Sequence, residues 1–223
     1  MSKFYVVGTP IGNMEDITYR AVRILGEVDL VLCEDTRVTV NLLNKYGIKK
    51  TTLSYHSQSK LSKVEQILKL IEEGKTLALV SDAGTPTISD PGSVLAAKIK
   101  ETFPDMEIIA IPGPSAVISA LSVSGLNVAE FTFLGFLPHK KGRETLFKEI
   151  ASTERVCVFY ESPHRILKAL ESLHKFCPNK KVTIARELTK VFEQVVSGLP
   201  AEVLAYFTKN PDKVKGEFVV LVS

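Results

Sequence analysis

The chain has 223 residues, 45% hydrophobic and 24% charged, and is long enough to bury an ordinary globular core without disulfide or metal staples. Its net charge of +3 does not by itself announce a nucleic-acid binder, although a local basic stripe is compatible with it. Cys33, Cys157 and Cys177 are scattered without C-x-x-C spacing, which argues against a metal or redox motif and fits a reducing, cytoplasmic setting. The amino terminus has no signal-peptide pattern, and the most apolar stretch, 108–123, is broken by Pro112, Gly113 and Pro114 and cannot span a membrane.

Strand and helix signals alternate from the start. A short apolar strand over 4–7 ends at Gly8. Asp16 is placed to cap a helix carrying Ile17, Ala21, Val22 and Leu25 on one face, with Gly26 as its stop. A buried strand over 30–33, a helix over 36–46 ended by Gly47, and a weak strand over 51–55 follow. Leu61, Val64, Ile67, Leu68 and Ile71 recur at helical spacing up to Gly74. After a strand over 76–80, Asp90 and Pro91 open a helix that runs to about Thr102, and a strand over 107–111 ends the first half. Five apolar strands separated by helices predict a parallel sheet covered on both faces.

The IPGPS segment, 111–115, is the expected boundary, which divides the chain into domains 1–112 and 113–223. A helix over 116–124 ends at Gly125. Strands over 131–137 and 156–160 flank a helix over 142–151. Ser162 and Pro163 read as the cap and first turn of another helix. Strands over 181–185, 193–196 and 218–222, with a short helix over 201–207, complete a mixed α/β half.

Ligands of open parallel sheets bind beyond the carboxyl ends of the strands. The loops there are GTPIGN (8–13), EDTR (34–37), SDAGTPTISDPG (81–92) and PGPSA (112–116), the most Gly-, Pro- and acid-rich parts of the first half. GTPIGN has neither dinucleotide nor phosphate-loop spacing, and a tight turn explains it as well as a ligand loop does. The twelve-residue SDAGTPTISDPG loop is more telling. Capping accounts for Asp90 but not for Asp82 to Pro86, and loops of this length and composition tend to be functional. In EDTR, helix capping by Asp35 or Thr36 with a solvated Arg37 accounts for the residues on their own. Their place on the crevice rim adds a functional reading. In the second half, Glu161 stands at a strand end, and His164 and Arg165 in a first helical turn oppose the helix dipole, as do no structural residues chosen for local benefit. His139, Lys140, Lys141, Arg143 and Lys148 form the densest basic segment, either a solvated face or a phosphate track. No set of residues has metal-ligand spacing or a hydrolytic triad order.

GTPIGNMEDITYRAVRIL, VDLVLCEDTR, LVSDAGTPTISDPG, IPGPSAVISALSVSGL, FLGFLP, FYESPHR and ARELTKVFE, in this order, resemble the ribosomal RNA small subunit methyltransferase I family, which shares its fold with the tetrapyrrole methylases. The resemblance implies a two-domain α/β fold with S-adenosylmethionine held in the cleft between the domains and released as S-adenosylhomocysteine. It also implies a homodimer, and 2′-O-methylation of a cytidine in the decoding region of 16S rRNA. Carried over motif by motif, it assigns Pro10, Ser81, Asp82, Ala83, Ile88, Ser115, Ala116, Glu161 and Glu187 to the cofactor. Arg37, Lys140, Lys141, Arg143, His164, Arg165 and Arg186 fall on the RNA side. A ribose hydroxyl is a poor nucleophile, so Asp35 or Glu34 is expected to accept its proton or orient the sugar. Two features depart from the family pattern. Members commonly carry a helical extension after the last strand, whereas this sequence stops at Ser223, and Tyr55-His56-Ser57-Gln58 replaces the usual Tyr-His-x-His/Asn-Asn. The competing readings are a porphyrinoid C-methyltransferase of the same fold, which would want an apolar trough where EDTR, YESPHR and the basic loop stand, and a non-catalytic RNA-binding assembly factor.

Overall fold

A computed structural model describes residues 3–90 and 92–223. The chain divides into two units, Met1–Ser115 and Ala116–Ser223.

The first unit carries a five-stranded parallel sheet in the order β3-β2-β4-β1-β5. Its strands are β1 (Lys3–Val7), β2 (Leu30–Cys33), β3 (Thr52–Ser54), β4 (Leu77–Leu79) and β5 (Glu107–Ile111). Helices α1 (Tyr19–Glu27), α2 (Thr36–Lys45), α3 (Leu61–Glu72) and α4 (Gly92–Thr102) connect them. Side chains alternate across a strand, so one sequence supplies two cores. Val31, Cys33 and Ala78 pack with Ala21, Ile24 and Leu25 of α1 and Leu43 of α2. Leu32, Leu77 and Leu79 face the other way, onto Ile67 and Ile71 of α3 and Leu95 and Ile99 of α4. The expected doubly covered sheet is therefore present. Gly47 and Gly74, just past α2 and α3, adopt φ of 68° and 84°, the left-handed conformation that ends helices at low cost.

Two helix starts differ from the expectation. Asn13 accepts a bond from the Glu15 N–H at 3.0 Å and starts a single 3-10 turn, Met14–Asp16, which takes up Asp16. The chain then runs extended through Thr18, whose hydroxyl accepts from the Ala21 N–H at 3.1 Å and caps α1 in place of Asp16. The helix also passes through Gly26 to Glu27. At α4, Asp90 accepts from the Gly92 N–H at 2.8 Å. Pro91, expected in that first turn, lies outside the described residues.

The second unit contains α5 (Ala116–Val123), β6 (Phe131–Phe136), α6 (Arg143–Ser152), β7 (Val156–Glu161), α7 (Ile166–Phe176), β8 (Val182–Arg186), β9 (Gln194–Gly198), α8 (Pro200–Lys209) and β10 (Phe218–Val222). Its sheet has the order β6-β7-β10-β8-β9, parallel between β6 and β7 and antiparallel elsewhere. Phe147, Leu170, Leu173 and Phe207 from α6, α7 and α8 meet Phe159, Ile184, Phe218 and Val220 in one core. Burying each such side chain contributes about 1.5–3 kcal/mol. The α7 start also differs from the expectation. Its N-cap position is Arg165, and Ser162 serves through its carbonyl, which accepts from Arg165 and Ile166. His164 and Arg165 thus belong to the turn that leads into the helix, and the Glu161 carboxylate at 3.1 Å offsets the Arg165 charge there. Among the described residues, no helix is long and apolar enough to cross a membrane.

Candidate active site

The four glycine- and proline-rich loops of the first unit join at the carboxyl ends of its strands. Gly8 donates to the Ile111 carbonyl at 3.1 Å. A Cβ on Gly8 would lie 2.8 Å from the Gly113 Cα, and one on Gly113 would lie 2.9 Å from Gly8, so the loops after β1 and β5 touch backbone to backbone. Thr9 pairs with Gly84 through two backbone bonds of 2.9 and 3.1 Å, and its buried hydroxyl donates to the Ser81 carbonyl at 3.1 Å. Thr85 Oγ1 donates to the Pro114 carbonyl at 3.2 Å, which ties the long loop to the PGPS turn. The Asp35 N–H donates to Asp82 Oδ1 at 3.1 Å, which brings in the loop after β2.

This framework sorts the expected cofactor residues. Pro10 and Ser81 are buried inside it, and the Ser81 hydroxyl donates toward the carbonyls of Ala83 and Gly84 at 3.2 and 3.3 Å. Asp82 and Ala83 are presented to solvent, Ser115 is half-buried, and Ile88 is 51% exposed. Ala116 is the first residue of α5 in the second unit. Thr87 and Ser89 hold φ of 76° and 67°. Left-handed backbone at such residues costs on the order of 1–3 kcal/mol each and concentrates at ligand clamps.

The two candidate proton acceptors have different surroundings. Asp35 caps α2: its Oδ1 accepts from the Arg37 N–H at 2.8 Å, and both carboxylate oxygens accept from the Arg37 guanidinium, at 2.6 Å for Oδ2. That side chain and that N–H hold its pKa down at about 2. Arg37 itself projects outward, its side chain 88% exposed. Glu34 is half-buried. Burial pushes its carboxyl above the ordinary range, and the nearby Asp82 and Asp90 carboxylates push it further, while an Asp82 peptide N–H and His56 oppose them. Glu34, Asp82 and Asp90 therefore make this edge acidic, which suits a cationic group. Among the described residues, no group of three or more His, Cys, Asp and Glu could hold a metal ion.

In the second unit the structure regroups residues that the motifs had divided between cofactor and RNA. The Glu161 carboxylate has no exposed surface. It pairs with Arg143 Nη2 at 3.1 Å and Arg165 Nε at 3.1 Å, and accepts from the Ser162 N–H at 2.9 Å. These three donors take up its oxygens in this structure. Arg143 and Arg165 are only 15% and 17% exposed. Arg186 is buried and donates to the carbonyls of Lys215 and Phe192 at 3.3 and 3.2 Å, so it braces the two segments. Glu187 accepts from Lys190 Nζ and the Glu217 N–H, both at 3.0 Å. Burial favours its neutral form, but Lys190, the Glu217 N–H and Arg186 outweigh burial and hold its pKa below the usual range. Lys140, Lys141 and His164 are exposed.

Sequence reasoning missed Thr9, which joins the first loop to the third, and Gly113, whose missing side chain lets the loops touch. The signal for both was present as small residues next to strand ends, but only the strand order makes β1 the neighbour of both β4 and β5.

Comparison with known proteins gives a consistent result. A profile of the tetrapyrrole (corrin/porphyrin) methylases matches residues 3–204. The ribosomal RNA small subunit methyltransferase I of Thermotoga maritima is 46% identical over 224 residues, covering 100% of this chain and 99% of its own. The protein of the same name from Vibrio cholerae is 44% identical over 98% of this chain and 76% of its own. Among solved structures, the methyltransferase CobJ superposes with a TM-score of 0.73 at 20% identity, covering 100% of this chain and 94% of its own. A uroporphyrin-III-C-methyltransferase from Thermus thermophilus gives 0.69 at 17% identity, covering 100% and 94%; both likenesses concern the fold alone. With four interlocked loops at the strand ends and near-half identity along its whole length, the chain belongs to the ribosomal RNA small subunit methyltransferase I family, within the tetrapyrrole methylases.

Proposed function

We infer that this chain is an S-adenosylmethionine-dependent methyltransferase that methylates the ribose 2′-hydroxyl of a cytidine in 16S rRNA of the small ribosomal subunit. The observation that carries this reading is identity of 46% over the whole chain to a small subunit rRNA methyltransferase, spanning all four loops of the site. The finer parts are the decoding region as target, a cytoplasmic setting and a homodimeric state.

When bound, S-adenosylmethionine supplies an electrophilic methyl carbon on a sulfonium. The residues of this chain fit it: an acidic edge for a cation, exposed Asp82 and Ala83, and the exposed apolar Ile88 on the same loop. Ser115 follows the Pro114 carbonyl that Thr85 ties to the long loop, and buried Pro10 lies in the first loop. Alignment and exclusion of water are the protein's main contributions to an in-line displacement. Glu34 would accept the proton that leaves the 2′-hydroxyl when that oxygen takes the methyl group and the carbon–sulfur bond breaks. An elevated pKa brings a carboxylate closer to that task. Asp35, held by Arg37 and the α2 terminus, sets the geometry and is not the base. Arg37, Lys140, Lys141 and His164 supply the exposed charge for the RNA backbone.

Mapping ribose methylation in 16S rRNA from cells with and without the protein tests the reading. One cytidine should lose its 2′-O-methyl group, and an unchanged map would refute it.

A further inference from the structure

The Glu161 carboxylate is buried and paired with Arg143 and Arg165, and the position of this triad indicates a role of its own. Glu161 is the last residue of β7 and pairs in register with Phe218, the first residue of the central strand β10, so its backbone is anchored at one end of the sheet. Arg143, the first residue of α6, and Arg165, at the N-cap of α7, converge on it. Both arginines continue past it to the basic segment. Arg143 Nη1 donates to the Pro138 carbonyl at 3.2 Å. Arg165 Nη2 donates to the carbonyls of Leu137 and Pro138, and Nη1 lies 3.4 Å from His139 Nε2. The Arg143 N–H closes the loop onto the Lys140 carbonyl at 3.2 Å. The base of the segment between β6 and α6 is thus bolted to the sheet, while Lys140 and Lys141 face solvent.

Stability alone does not account for this arrangement, because apolar residues of similar volume usually stabilise a core as well as a buried ion pair. The triad also keeps one positive charge in excess beneath two exposed lysines.

We propose that Glu161 is a positioning residue for rRNA binding: through Arg143 and Arg165 it preorganises the 137–141 segment so that Lys140 and Lys141 meet the phosphate backbone without a further ordering cost. This rests on the reading that the segment contacts rRNA.

The test uses Glu161→Gln, which keeps shape but releases both arginines, and Arg165→Lys, which keeps charge but cannot bridge carboxylate and carbonyls together. Each should raise KM for small subunits about tenfold, with a smaller change in kcat and an unchanged dissociation constant for S-adenosylmethionine by calorimetry. Weaker cofactor binding with unchanged KM for RNA would return Glu161 to the cofactor and overturn the proposal. A lowered melting temperature with unchanged KM for RNA in both variants would make the triad a stability element only, and also overturn it. A Lys140→Ala, Lys141→Ala double variant separates the two levels. If it binds RNA normally, the basic segment is not an RNA contact at all; if it weakens binding while Glu161→Gln does not, only the positioning role fails.

Discussion

Two adjacent carboxylates can differ in task because their neighbours differ. Asp35 has its lone pairs committed to a helix terminus and an arginine, and Glu34 has burial and two like charges. Glu34→Gln is expected to lower kcat by about 10²-fold or more, the usual worth of a positioned base, with little change in cofactor affinity. The acid limb of the wild-type kcat/KM profile should lie above the ordinary glutamate range, since the base works deprotonated and burial and Asp82 raise its pKa in the free protein. It should vanish in the variant. Asp35→Asn should act on folding instead. A pKa depressed from 3.8 to about 2 stabilises the fold above the unfolded value, and that contribution is lost as pH falls through the folded one. The gap in Tm between wild type and Asp35→Asn should therefore be full near neutrality and close as the medium is acidified from pH 3.8 toward about 2. A variant whose Tm gap ignores pH would show that the Arg37 pairing is not what depresses the carboxyl.

Helix termini and loop crossings hold the second layer of information. Thr18, not Asp16, caps α1, so Thr18→Ala should cost about 1 kcal/mol in chemical denaturation while Asp16→Ala stays within about 0.5 kcal/mol. The loops after β1 and β5 approach closely enough to admit no side chain. Gly113→Ala should displace both, destabilising the protein by roughly 1–3 kcal/mol and weakening S-adenosylmethionine binding while far-ultraviolet dichroism is retained. Unaltered cofactor affinity in that variant would separate the loop contact from the binding surface. The bracing loop around Arg186 and Glu187 follows the same logic. Glu187 and Thr189 take φ of 50° and 67°, and Gly216 leaves room for Glu187 where a Cβ would come within 2.2 Å of its carboxylate. Polar residues of this motif bond to the backbone of a tight loop: Arg186 to the carbonyls of Lys215 and Phe192, Glu187 to the Glu217 N–H.

At the level of the whole chain, each unit has its own sheet and its own apolar core, so unfolding need not be a single two-state event. A ligand that binds only the folded chain raises stability by mass action, about 2.7 kcal/mol at a hundredfold excess over its dissociation constant. Scanning calorimetry with S-adenosylmethionine should therefore move the transition that includes the first unit upward, and S-adenosylhomocysteine should do the same. A scan unmoved by either would count against the acidic edge as the cofactor surface.

Periodicity and punctuation determined the elements. Continuous apolar runs made β2, β4 and β10 legible because strands buried on both faces tolerate little else, and Gly47 and Gly74 marked helix ends because few other residues adopt positive φ cheaply. The four ligand loops were legible for a related reason: strand ends of a parallel sheet collect on one edge, whatever the strand order. The distribution of charge among Glu161, Arg143, Arg165 and Arg186 was not legible. Whether a charged side chain is solvated, paired or bolted to a backbone depends on what lies within a few ångströms in space. That neighbourhood is set by pairings such as Glu161 with Phe218, which are far apart along the chain and exist only once the sheet has formed.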